Sequence, residues 1–151
     1  MGALQEAPFF FDIGERVMSN DLMPTVLIVD DNEDIVELME MEMEMVDFKI
    51  FKAYGGIEAK KIIQENPNIQ FILSDTNMPE GDGYELLKFV KEFTQVNGSI
   101  IYFYFITGDM DTQSMDIVGL GAKGIYSKPF DFDKIVSEIR SLHEINKKKE
   151  I

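Results

Sequence analysis

From Thr25 onward the chain repeats one pattern five times: a short apolar run, then a longer stretch in which apolar residues recur at helical spacing. A strand that is followed each time by a helix cannot close on itself in isolation. The arrangement that buries all five runs is a parallel sheet with helices laid against its faces. The runs are residues 26–29, 48–51, 71–73, 100–106 and 124–126, and the helices fall near residues 33–46, 56–66, 83–95, 111–120 and 131–148. The first, third and fourth runs are almost continuously hydrophobic, which is expected of strands covered on both sides. The predicted fold class is therefore α/β, a three-layer sandwich around a five-stranded parallel sheet. With 151 residues, of which 45% are hydrophobic, the chain is long enough for one substantial core and short for two.

One segment carries the wrong period. Residues 39–45 alternate Met and Glu as a half-buried strand would. Both residues are strong helix formers, however, and Ile35, Val36, Leu38 and Met39 before them follow helical spacing, with Glu33 and Asp34 placed where acidic groups suit a helix N-terminus. A helix is predicted, with its methionines used for packing. Residues 1–23 stand apart, with Pro8, a Phe9-Phe10-Phe11 run and no period, and are read as an upstream extension or cloning remnant whose phenylalanines are covered if ordered. Residues 24–146 form the domain, and residues 147–151 a basic tail whose lysines suit a helix C-terminus.

Composition removes several classes of function. Lys and Arg number 14 against 28 Asp and Glu, a net charge of −14. This opposes binding to a nucleic-acid backbone, which needs clustered cations. The absence of Cys excludes disulfides, thiolate nucleophiles and zinc-thiolate sites. No apolar stretch approaches the roughly 20 residues of a membrane span, and the N-terminus lacks the features of a secretory signal. The expectation is a cytoplasmic protein with neither nucleic acid nor membrane as partner.

In an open parallel sheet, ligands bind beyond the carboxyl ends of the strands. There the first run ends in Asp30-Asp31, the third in Asp75 and the fourth in Thr107, while Lys128-Pro129 follows the fifth. If the first and third strands are neighbours, Asp30, Asp31 and Asp75 converge, and a hard divalent cation relieves their repulsion. Mg²⁺ (or Mn²⁺) suits such oxygen ligands. Read singly, each residue has a plainer explanation: Asp30-Asp31 as a helix cap, Asp75 as a turn residue, Lys128 as a solvated amine, Thr107 and Tyr126 as strand packing. His143 is read as surface or packing.

Taken together, Val29-Asp30-Asp31, Asp75-Thr76-Asn77-Met78-Pro79 with Asp82-Gly83, Thr107-Gly108 and Lys128-Pro129-Phe130 resemble the receiver domain of two-component response regulators, in that family's order and on the expected strands. The resemblance covers about residues 24–146. It implies a flavodoxin-like sheet of strand order 2-1-3-4-5. It further implies that Asp75 takes a phosphoryl group from a phosphohistidine, that Asp31 directly and Asp30 through water hold the metal with Asp75 and the carbonyl of Asn77, and that Lys128 and Thr107 contact the phosphoryl oxygens. By the same resemblance, Tyr126 is a switch aromatic moving with Thr107, the Lys128–Pro129 bond is cis, and Asn77 and Asp109 tune the lifetime of the phosphorylated state.

The implied partners are a histidine kinase or histidine phosphotransfer protein and a downstream protein target docking on the fourth helix, fifth strand and fifth helix, with room for a homodimer. Enzyme activity is at most self-phosphorylation and self-dephosphorylation. With no output domain in the sequence, the expectation is a stand-alone regulator acting through protein contacts.

Two other chemistries compete. A haloacid-dehalogenase-type phosphohydrolase would use the same strand-end Asp and Mg²⁺, but wants a carboxylate two residues on, where this chain has Asn77. A calcium loop over residues 75–86 fails because its sixth and twelfth positions are Glu80 and Leu86 rather than Gly and Glu. A receiver-like interaction module without phosphorylation would tolerate loss of the acidic, hydroxyl and ammonium set, which is intact here.

Overall fold

The computed structural model describes residues 23–108, 117–129 and 131–149. In chain order the elements are β1 (Thr25–Val29), α1 (Glu33–Glu44), β2 (Lys49–Ala53), α2 (Gly56–Glu65), β3 (Phe71–Ser74), α3 (Gly83–Asn97), β4 (Tyr102–Thr107), α4 (Ile117–Leu120), β5 (Gly124–Ser127) and α5 (Phe132–Lys149). The five strands form one sheet in the order β2-β1-β3-β4-β5, every pair parallel. The predicted fold class and strand order are those observed.

Alternation along each strand divides the core in two. Leu27, Val29, Ile72, Phe103 and Phe105 pack with Ala59 and Ile63 of α2 and with Leu86, Leu87 and Val90 of α3. Val26, Ile28, Phe71, Leu73, Tyr104 and Ile106 pack on the other face with Val36, Met39 and Met43 of α1 and with Ile135, Val136 and Ile139 of α5. β1 and β3 are buried throughout, whereas β2 and β5, the sheet edges, are mostly half-buried. This is why only the central runs read as continuous hydrophobicity.

The Met-Glu row is helical. Met39 and Met43, one turn apart, are buried, while Met41 and Met45 face solvent. The helix starts where Asn32 accepts hydrogen bonds from the backbone N–H groups of Asp34 and Ile35, so the cap is Asn32 and not the preceding aspartates. α3 runs two residues beyond its predicted end, to Asn97, and Gly98 after it closes the helix with a left-handed φ of 66°. His143 is buried in α5. The predicted helix near residues 111–120 is seen as α4 from Ile117; its earlier part, Asp109, the Phe9-Phe10-Phe11 run and residues 150–151 of the tail lie outside the described residues.

The start of α3 fixes the loop after β3. Asp82 caps it by accepting from the Glu85 N–H at 2.9 Å, and Gly83 N–H donates to the Thr76 carbonyl at 2.9 Å. A Cβ on Gly83 would overlap the Asp75 carbonyl oxygen and sit 3.1 Å from Phe105 and 3.2 Å from Thr76. Backbone, unlike the end of a long side chain, cannot easily yield. Gly83→Ala is therefore expected to lower stability by about 1–3 kcal/mol, the usual scale for forcing volume into a packed site. Urea denaturation measures this, and a midpoint equal to the wild type would show that the loop can shift freely.

Candidate functional site

Strand register assembles the site. β1 pairs with β3 so that Val29 lies opposite Ser74, which sets Asp30 beside Asp75 one residue further on. β3 pairs with β4 as Ser74 with Phe105, bringing Thr76 alongside Thr107, and β4 pairs with β5 as Thr107 with Ser127, leaving Lys128 just beyond. Backbone bonds continue the pairing past the strand ends, from Asp75 N–H to the Val29 carbonyl at 2.9 Å and from Lys128 N–H to the Thr107 carbonyl at 2.8 Å.

Carboxylate oxygens of Asp30, Asp31 and Asp75 all lie within 4.8 Å of one another. Asp30 is buried, Asp31 is exposed and Asp75 is half-buried, so the group opens to solvent on one side. Lys128 neutralises part of this charge. Its Nζ donates to Asp30 Oδ2 at 2.7 Å and lies 3.6 Å from Asp75 Oδ2. The amine thus bridges two carboxylates, with its shorter contact to Asp30, the more deeply buried of the pair. The Lys128–Pro129 peptide bond is cis.

Burial raises the pKa of Asp75 above the ordinary carboxylate range, against the opposing pull of Lys128 and with added repulsion from Asp30 and Asp31. One Asp75 oxygen accepts from the Thr76 N–H at 2.8 Å, and the other, Oδ2, faces Lys128. Asp30 Oδ1 is held by the Asn32 N–H at 2.9 Å.

The remaining residues singled out from sequence divide. Thr107 is 1% exposed, and its hydroxyl lies 3.0 Å from that of Thr76, also 1% exposed. Asn77 stands exposed on the loop after Asp75. Tyr126 reaches away from the carboxylates, its hydroxyl donating to Glu138 of α5. Thr76 and Glu138 were not anticipated. Thr76 could have been found from its place beside Asp75, whereas Glu138 is one of many acidic residues on a helix and nothing in the sequence marks it.

Oxygen ligands alone, three of them ionisable and held together at an open edge, suit a hard divalent cation rather than a soft one. A negatively charged group placed against Asp75 would have the Lys128 ammonium beside it, 3.6 Å from Asp75 Oδ2. The arrangement can thus take an anionic electrophile on a carboxylate oxygen.

Comparison with known proteins agrees. The model of the response regulator receiver domain family matches residues 26–140. Response regulator GtcR of Aneurinibacillus migulanus is 29% identical over 130 residues, covering 83% of this chain and 52% of its own length. Response regulator SaeR of Staphylococcus aureus is 29% identical over 120 residues, covering 80% and 50%. The chain thus spans about half the length of these curated relatives. Among solved structures, a receiver domain protein from Clostridium thermocellum shares the fold with a TM-score of 0.73 at 21% identity, covering 83% of this chain and 98% of that one. TrrA of Thermotoga maritima, in complex with Mg²⁺ and beryllofluoride, has a TM-score of 0.69 at 25% identity, covering 80% and 99%. As the family model matches most of the chain and the fold agrees, the chain belongs to the response regulator receiver domain family.

Proposed function

We propose that Asp75 is the phosphoacceptor, that Asp30, Asp31, Asp75 and the Asn77 carbonyl hold Mg²⁺, and that a phosphohistidine on a histidine kinase or phosphotransfer protein is the donor. The observation that carries this reading is the Lys128 ammonium lying 2.7 Å from Asp30 and 3.6 Å from Asp75 within a cluster of three carboxylates. An Asp75 oxygen attacks phosphorus, the phosphorus–nitrogen bond to the donor breaks, and the departing imidazole keeps the electron pair. Phosphoryl transfer asks the protein mainly for alignment and charge neutralisation. The Thr76 N–H orients the carboxylate, Lys128 stabilises charge on the phosphoryl oxygens, and the Thr107 hydroxyl exchanges Thr76 for one of those oxygens. A Mg²⁺ held by Asp30, Asp31, Asp75 and the Asn77 carbonyl would supply the remaining charge neutralisation.

Movement of Thr107 and Tyr126 then changes the face made by α4, β5 and α5, which we assign to the downstream target. The solved complex of CheX with CheY, beryllofluoride and Mg²⁺ from Borrelia burgdorferi, 28% identical with a TM-score of 0.67, supports a phosphorylation-linked protein partner. Asn77 and Asp109 are assigned to tuning the lifetime of the phosphorylated form. No helix among the described residues is long and apolar enough to cross a membrane.

Intact-mass spectrometry after incubation with acetyl phosphate tests the core of this reading. The wild type is expected to gain one phosphoryl group in Mg²⁺ and none in EDTA, and Asp75→Asn none in either. A gain that survives in Asp75→Asn would place the acceptor elsewhere. Lys128→Ala is expected to slow the reaction by about tenfold, the effect of losing roughly 1.4 kcal/mol of transition-state stabilisation. A time course of the same mass shift measures it, and an unchanged rate would remove Lys128 from the chemistry.

The raised pKa of Asp75 also gives a signed expectation. A group whose folded pKa lies above its unfolded one contributes stability that is full below the unfolded pKa and lost as pH rises through the folded pKa. At neutral pH without metal, ionised Asp75 therefore works against folding. Asp75→Asn should melt higher than the wild type in EDTA at neutral pH, the gap closing in acid and narrowing on addition of Mg²⁺, which favours the wild type. Thermal melts that put the mutant below the wild type in EDTA at neutral pH would contradict this.

A further inference from the structure

Away from the carboxylates, one acidic side chain joins two strands to a helix. Glu138 of α5 accepts a hydrogen bond from the Tyr126 hydroxyl on Oε1 at 3.3 Å and another from the Tyr104 hydroxyl on Oε2. Each oxygen of a single carboxylate thus holds one tyrosine. The two rings lie 5.8 Å apart on adjacent strands, tilted by 39°. Tyr104 is 2% exposed and sits in the core beneath α5, so its arm is fixed. Glu138 itself lies next to Ile139 and one turn from Ile135 and Leu142, which anchor α5 on the sheet. Its carboxylate is held through the other oxygen by Tyr104, so following Tyr126 would break that second hydrogen bond.

Tyr126 is also tied to the phosphoacceptor end of the sheet. It lies opposite Ile106, the residue before Thr107, and two residues before Lys128 on its own strand. Burial, with Glu138 alongside, pushes the Tyr126 phenol up to about 12 and the Tyr104 phenol further, so both stay protonated donors. The acceptor in this trio is Glu138.

We infer that Glu138 is a positioning residue for the switch, holding Tyr126 in the resting arrangement so that its movement on phosphorylation must break the Tyr126–Glu138 hydrogen bond. This rests on the phosphoacceptor reading above and deepens it. Whatever holds the resting arrangement lowers the affinity of the site for a phosphoryl group by the same factor, because the coupling between them is reciprocal. Glu138→Gln leaves one carbonyl oxygen for two tyrosine donors, while Tyr126→Phe keeps the ring and removes the hydroxyl. Each is expected to release the resting state.

The test is titration with beryllofluoride at saturating Mg²⁺, the dissociation constant being read by fluorine-19 NMR on the full chain. Glu138→Gln and Tyr126→Phe are each expected to bind about 3- to 10-fold tighter than the wild type, the span for losing one ordinary hydrogen bond, the Tyr126–Glu138 contact being long at 3.3 Å. The double variant should bind no tighter than either single one, since both remove the same bond. Tyr104→Phe, which cuts the other arm and leaves Tyr126 on Glu138, should stay within about twofold of the wild type. Unchanged affinity in Glu138→Gln, additive effects in the double variant, or an equal gain in Tyr104→Phe would overturn the inference while leaving the phosphoacceptor reading intact. Failure of the wild type itself to bind beryllofluoride would overturn both.

Discussion

Backbone pairing of β1 with β3 places two carboxylates against each other before any side chain has a say. Asp75 N–H donates to Val29 and Asp30 N–H to Ala53, so both residues are held at the end of β1 by main-chain bonds. Parallel pairing in this register cannot be relaxed by sliding, because a one-residue slip would turn Val26, Ile28, Phe71 and Leu73 away from α1 and α5. The core therefore imposes the carboxylate cluster, and the cluster carries a standing electrostatic cost. Lys128 offsets part of it by contacting both Asp30 and Asp75, while burial first, and repulsion from Asp30 and Asp31 after it, raise the pKa of Asp75. An uncompensated remainder of this sign would favour a bound cation.

The same register divides the site between the central strands and those nearer an edge. Asp30, Asp31 and Asp75 sit at the ends of β1 and β3, between strands buried on both faces. Thr107 and Lys128 belong to β4 and β5, nearer the edge of the sheet, and Thr107 keeps its hydroxyl on Thr76. That hydrogen bond pairs two buried hydroxyls with each other.

The fold was legible in the sequence because the three central runs are covered on both faces and must be apolar at nearly every position. Edge strands gave weaker signals. β2 was placed one residue early, since Phe48 is buried like a strand residue but lies before Lys49, where pairing begins. The Met-Glu row was resolved by propensity over period, and the spacing of Met39 and Met43 shows why that was sound. At the site, the residues ending apolar runs could be found from position alone. Glu138 could not, because a carboxylate that meets two tyrosines across a helix–sheet interface depends on where α5 crosses the sheet, and periodicity does not record crossing angles.

Charge sets the last constraint. A chain of net charge −14 whose binding cluster is also acidic presents a repulsive field to an approaching phosphoryl donor. At physiological ionic strength that field decays over about 8 Å, so the repulsion is felt mainly near contact. Within that distance Lys128 is the cation placed to reverse it, and its ammonium is already shared between Asp30 and Asp75. The local charge therefore becomes favourable to a phosphoryl group only when a further cation joins the cluster. On the function proposed above, metal dependence would follow from the carboxylate spacing imposed by β1 and β3, and a protein donor would have the further means of offsetting the repulsion through contacts outside the cluster.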